Sequence, residues 1–205
     1  MTGFSNPQAM WDKRFSTSAY VFGEEPNAFL VDQAALLGQG RALALADGEG
    51  RNSVWLAQQG FTVDAFDFSV PAIDKAKALA KKHQVSVNFI HSDWQSFDWK
   101  PAHYDLVAGV FFQFAAPDER AELFEKIKQC LKPGGVLLIQ GYGKNQLTYK
   151  TGGPDKLDHL YDEDLLRQAF AGFDVQVCQT YETSIQEGAG HSGMSALVGF
   201  VAKKP

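Results

Sequence analysis

The chain has 205 residues, 45% hydrophobic and 21% charged, with a formal net charge of −5. That length suits one domain with a sizeable core, and an acidic balance without any Lys/Arg run argues against a nucleic-acid partner. Cys130 and Cys178 stand far apart with no metal-ligand spacing around them; with no leader pattern and no apolar run near ~18 residues, this leads us to expect a cytoplasmic protein without disulfides, bound metal or a membrane partner.

Residues 1–27 read as an irregular but aromatic arm (Trp11, Phe15, Tyr20, Phe22), too aromatic for a free tail and expected to pack on the body. Apolar spacing predicts a helix over 28–37, stopped by Gly38. Residues 42–46, small and apolar without alternation, predict a buried parallel strand, followed by a glycine turn at Gly48 and Gly50 and a helix to about Gly60. A second strand over 61–66 closes on Asp67, and Pro71 opens a helix to about Lys82. A third strand over 85–90 leads to His91, Ser92, Asp93 and Trp94. The fourth covers 104–112. A helix spans 117–131, acidic early and lysine-rich late, in keeping with the helix dipole. Residues 132–135 read as a turn and 136–140 as the fifth strand.

Strand and helix thus alternate through five strands, which implies right-handed crossovers and a parallel sheet covered on both faces. After 141 the style changes: a Gly/Lys/Pro-rich loop to 158, a helix over 162–170, then strands at 173–181 and 195–201. A Gly-rich connection without a helix joins these two, so one of them runs antiparallel. The expectation is a single-domain α/β, Rossmann-like, doubly wound sheet of seven strands, mostly parallel with an antiparallel C-terminal strand. The arm (1–27) would cover the site, 28–141 would form the core and 142–205 the substrate side.

In such sheets ligands sit at the carboxyl ends of the strands. Gly48 and Gly50 permit close backbone approach, and the helix that follows offers unpaired N–H groups to an anion. Asp67, 19 residues after Gly48, stands where a carboxylate accepts both ribose hydroxyls. That pair of features fits nicotinamide enzymes and other nucleoside binders alike. Ser53 in place of the third glycine, Asp93 closing the third strand and the antiparallel ending all favour the latter.

The stretch 41–57, Asp67, Ser92-Asp93-Trp94, Tyr104–Val107 and Leu131–Gly135 together resemble class I S-adenosylmethionine-dependent methyltransferases. The closer likeness is to the tellurite-resistance and thiopurine-methyltransferase-like branch, carried by Trp11-Asp12-Lys13-Arg14-Phe15, Glu49-Gly50-Arg51-Asn52, Gln146, Gly152-Gly153-Pro154 and Glu187-Gly188 with His191. The resemblance covers nearly the whole chain, with departures. Ala44 replaces the usual acidic residue of the first strand, leaving nearby Asp47 as a substitute, and Ala46 replaces the first glycine. Gln113 stands where relatives often carry His.

The resemblance implies S-adenosylmethionine as cofactor, held by Ala46, Asp47, Gly48, Glu49, Gly50, Asn52, Asp67, Phe68, Ser69, Asp93, Trp94, Val110 and Phe111. Phe111 and Phe112 would border the methyl-transfer site. Methyl transfer from a sulfonium is mostly alignment in a dry site, with a base for oxygen or nitrogen nucleophiles. His191 is the candidate base, Tyr20 and Tyr142 are weaker candidates, and Arg14 or Arg51 would pair with the cofactor carboxylate. The acceptor would be a small molecule such as a thiol or metalloid oxyanion, the protein a monomer or homodimer. The alternative is a non-catalytic S-adenosylmethionine or nucleoside binder whose Ala44 and Ala46 mark a degraded site.

Overall fold

A computed structural model describes residues 7–205, so the first six residues of the arm lie outside the described residues. Seven strands form one sheet in the order β3-β2-β1-β4-β5-β7-β6. They are β1 Arg41–Leu45, β2 Thr62–Asp67, β3 Val87–His91, β4 Tyr104–Val110, β5 Leu131–Tyr142, β6 Asp174–Glu187 and β7 His191–Lys203. Strands β1 to β5 pair in parallel, and β7 runs antiparallel to both β5 and β6. The order reverses between β1 and β4, so the crevice for a ligand opens at the carboxyl ends of those two strands.

Helices α2 (Ala28–Asp32) and α3 (Arg51–Gln58) cover one face, where Phe29, Leu30 and Leu56 pack on Leu106, Leu138 and Val201. Helices α5 (Pro117–Cys130) and α7 (Glu163–Ala169) cover the other through Leu123, Phe124, Ile127 and Leu166. Both strands and helices follow the sequence pattern because β1 after Arg41 and β4 after Asp105 are unbroken apolar runs, which only a doubly covered sheet buries.

Several expectations are corrected. The arm is not irregular: α1 (Pro7–Phe15) lies beside α4 (Val70–Lys82). The predicted helix over 28–37 breaks after Asp32 and resumes as a 3-10 turn, Ala34–Leu36. No helix separates β3 from β4. Asp93 Oδ1 accepts from Ser96 N–H at 2.7 Å and fixes a turn, and Phe97 and Trp99 stack around Phe66, filling the space a helix would occupy. Residues 132–135 bulge within β5, whose pairing jumps from Tyr104↔Leu131 to Leu106↔Val136. The 141–158 stretch is less open than its composition suggests: β5 runs on to Tyr142 and α6 (Gln146–Tyr149) follows. The last two strands are longer than predicted and meet at Gly188–Gly190, so His191 begins a strand instead of lying in a loop.

Candidate active site

The loop after β1 takes left-handed backbone at Ala46 (φ 45°), Gly48 (φ 61°) and Gly50 (φ 90°). Its two glycines answer different demands. A Cβ on Gly48 would meet only the Phe15 ring, at 3.7 Å, so the backbone there is open to a ligand. A Cβ on Gly50 would stand 2.7 Å from the Ala76 Cβ, so Gly50 exists to let α3 pack on α4. Asp47 does not turn toward the place vacated by the missing acid at Ala44. Its carboxylate accepts from the Ser53 hydroxyl and from Ser53 N–H at 3.3 Å, capping α3, and burial pushes its pKa up to about 7.

Asp67 joins the loop to the next strand end. Its two oxygens accept from Gly48 N–H (2.9 Å) and Ser69 N–H (2.8 Å), while burial raises its pKa. The Phe68 carbonyl accepts from Gln8 Nε2 at 3.2 Å and Ser69 Oγ donates to Asp12 Oδ1 at 2.6 Å, so α1 is fastened across the ends of β1 and β2. Trp94 is buried in the core and its carbonyl accepts from Trp99 Nε1.

Glu49 and Asn52, expected at the cofactor, bond to other parts of the chain. Glu49 accepts from Val21 and Phe22 N–H and pairs with Lys75 at 2.7 Å; Asn52 Oδ1 accepts from Asn27 N–H at 3.0 Å. Both bind the 21–27 segment to α3 and α4. Arg51 is not a surface charge: it pairs with Glu187 at 2.7 Å, nearly buried. Arg14 lies over the Trp11 and Phe22 rings, 5.0 and 5.1 Å from their centroids. Tyr20 is separate from the site, because its hydroxyl donates to the Lys75 carbonyl and its ring packs against α3 and α4.

At the end of β4, Val110 packs on the α2/α3 face of the sheet, and the backbone then turns left-handed at Phe111 (φ 54°), sending neighbouring rings opposite ways. Phe112 goes into the core beside Phe124 and Tyr161, correcting its expected place at the site. Phe111 faces His191 at 4.4 Å and Tyr142 at 4.7 Å. Phe22 closes the enclosure, 4.3 Å from His191. Rings therefore run without interruption from Gly48 through Phe15, Trp11 and Phe22 to His191.

His191 is 8% exposed, and among the described residues its Nδ1 makes no hydrogen bond; Glu187 Oε2 stands 3.5 Å from it. Burial lowers the His191 pKa, Glu187 draws it back, and Arg51 and Arg14 push it down, so the ring is neutral near pH 7. Burial would raise the Glu187 carboxyl, but His191 and Arg51 hold it down at about 2. The Tyr142 hydroxyl is buried without a partner and its pKa is raised by burial; Gly152 and Gly153 fold directly against that ring. Gln113 does not stand in for a histidine. It accepts from Tyr142 N–H and donates to the Tyr142 and His159 carbonyls, locking the strand end. A neutral imidazole oriented by a carboxylate, in a water-poor aromatic wall, can accept a proton. Sequence reasoning gave no role to Glu187 or Phe22; both reach His191 only through the hairpin and the arm.

Residues 42–135 match the methyltransferase-domain family. The carboxy-S-adenosyl-L-methionine synthase of Pseudomonas fluorescens is 31% identical over 122 residues, 56% of this chain and 45% of that one. The chain thus spans about half the length of that curated relative. Two solved structures share the fold. One, from work on the conversion of a disulfide bond into a thioacetal group during echinomycin biosynthesis, is 18% identical with a TM-score of 0.78, covering 97% of this chain and 93% of that chain. TehB from Haemophilus influenzae is 17% identical with a TM-score of 0.72, covering 97% and 67%.

Proposed function

We propose that this chain, a class I S-adenosylmethionine-dependent methyltransferase by its fold and its family match, transfers a methyl group to a small nucleophile, a thiol or metalloid oxyanion, inside the enclosure around His191. The observation that carries the reading is the buried His191–Glu187 pair walled by Phe22, Phe111 and Tyr142. The cofactor, when bound, supplies an electrophilic methyl group on a sulfonium.

The residues fit such a group. The left-handed loop keeps the Gly48 backbone open, and each Asp67 oxygen retains an acceptor site beyond the N–H it already holds. Gly48, Asp67, Phe68, Asp93 and Phe111 would hold it. Ala46 keeps the glycine-like conformation in spite of its side chain, which supports a working loop over a degraded one. Glu187 orients His191 through Nδ1, 3.5 Å away, and leaves Nε2 to take the acceptor's proton. Arg14, held over two rings, sets a positive potential beside the enclosure that favours an anionic nucleophile. The aromatic wall and α1 exclude water, and alignment does most of the rest. The structural likeness to TehB, and to a protein studied for chemistry on sulfur, supports testing sulfur and metalloid acceptors first.

The test is a screen with methyl-labelled cofactor across thiols, thiopurines, metalloid oxyanions, phenols and amines. Transfer to a thiol or oxyanion supports the reading. Binding of S-adenosylhomocysteine with transfer to nothing in the screen overturns it in favour of a non-catalytic binder.

A further inference from the structure

A cavity of about 670 Å³ opens between the 22–32 segment and strand β6, next to the enclosure described above, with which it shares Phe22 and Glu187. Its wall carries five carboxylates, Glu24, Glu25, Asp32, Glu182 and Glu187, against one cation, Arg51. Arg51 neutralises Glu187 and Lys82 neutralises Glu24. Glu25, Asp32 and Glu182 make no ion pair among the described residues; Glu182 accepts hydrogen bonds from the neutral Tyr149 hydroxyl and Asn145 Nδ2 and keeps its charge uncompensated, so the cavity keeps a net negative potential.

At its base stands Gln140, 2% exposed. Its Nε2 donates to the Tyr181 hydroxyl, and its Oε1 has no hydrogen-bond partner. A buried amide oxygen left unpaired has lost its water without compensation, a cost that a ligand donor reaching it would recover. The cavity also has an apolar side, formed by Phe29 and Leu197.

We propose that this cavity binds a small organic ammonium ion. The ammonium N–H groups donate to Gln140 Oε1, the unpaired carboxylates supply the countercharge, and the carbon body lies against Phe29 and Leu197. A metal ion fits less well, because no group of three or more His, Cys, Asp or Glu side chains among the described residues is close enough to ligate one. The Arg51–Glu187 pair forms part of the wall and also orients His191, so an occupant here touches the same ion pair as the enclosure.

The probe is 1,4-diaminobutane, titrated calorimetrically into the full chain at low salt. One ion per chain is expected, weakening as sodium chloride is added. Gln140→Leu and the double variant Asp32→Asn, Glu182→Gln should each weaken it by about tenfold, the scale of one charge-assisted hydrogen bond or countercharge. The double variant changes exposed side chains only, and so keeps the test valid if Gln140→Leu unfolds. The neutral isostere 1,4-butanediol should give no saturable heat. The proposal is overturned by absence of diamine binding, by equal binding of the diol, by unchanged affinity in the double variant, or by magnesium displacing the diamine at equal concentration.

Discussion

The two halves of the ligand side are built on opposite terms. In the glycine loop and the ends of β1 and β2, the polar side chains are spent. Asp47 caps α3, Asp67 holds two backbone N–H groups, and Glu49 and Asn52 tie down the 21–27 segment. On β5 and β7 the reverse holds. All three buried side-chain atoms without a hydrogen-bond partner among the described residues, Gln140 Oε1, Tyr142 OH and His191 Nδ1, lie there. A satisfied loop gives a rigid cradle, whereas unsatisfied buried groups are a cost that a ligand can relieve. The first half is thus fixed in place by its own bonds, and the second holds the buried polar groups still open to a partner.

The largest test of this division is His191→Ala. Turnover should fall by about 10²–10⁴-fold, the usual worth of a positioned base. S-adenosylhomocysteine affinity by calorimetry should not change, and the loss should shrink at high pH if the acceptor ionises unaided. Unchanged turnover would leave His191 a wall residue and point to a nucleophile that needs no base.

The two glycines come next. Gly50→Val places a Cβ 2.7 Å from Ala76 on left-handed backbone; overpacking and strain should together cost roughly 2–5 kcal/mol in denaturant unfolding. Gly48→Ala meets only Phe15 at 3.7 Å and should cost about 1–2 kcal/mol of stability for its φ. Its distinctive effect should be weaker cofactor binding. Equal stability losses in the two would erase the distinction between a packing glycine and a ligand-facing one.

Asp67→Ala should weaken cofactor binding by about 1–3 kcal/mol, the scale of charge-assisted hydrogen bonds. It also strands two backbone N–H groups, so some stability goes with it. Loss of stability with full affinity would assign Asp67 to the loop alone.

Asp47 makes a pH test. Its folded pKa, about 7, lies above the ordinary 3.8. Its neutral form is therefore favoured by folding, with the benefit complete below about pH 4 and lost as pH rises through 7. Between pH 5 and 8 the melting temperature of the natural chain should drop relative to that of Asp47→Asn. Parallel pH profiles would show that Asp47 is ionised in the fold at no cost. The smallest effect is expected of Ala46→Gly. Relief of a left-handed alanine, less the added freedom of glycine in the unfolded chain, leaves a gain of about 0.5–1 kcal/mol in urea unfolding.

Much of this was legible in the residues. The apolar runs of β1 and β4, the punctuation by Gly48, Asp67 and Pro71 and the switch to a hairpin after α7 gave the sheet and its single antiparallel strand, because period and turn chemistry act locally. Where local signals were weak, the reading failed. The arm around Trp11 looked irregular because a nine-residue helix of mixed polarity has little apolar stripe, and it is held by its contacts with Phe68 and Ser69. Strand–helix alternation predicts a helix between β3 and β4, yet Phe97 and Trp99 do the covering there.

The sequence by itself determined the seven strands, their order and the main covering helices. Tertiary structure decided what each polar residue is for. The Glu49-Gly50-Arg51-Asn52 run reads as one motif, yet its members reach Val21, Ala76, Glu187 and Asn27, partners between 25 and 136 positions away in the chain. Hydrogen bonding and burial depend on what lies within a few ångströms, and only the closed fold brings Glu187, Phe22 and Phe111 to His191.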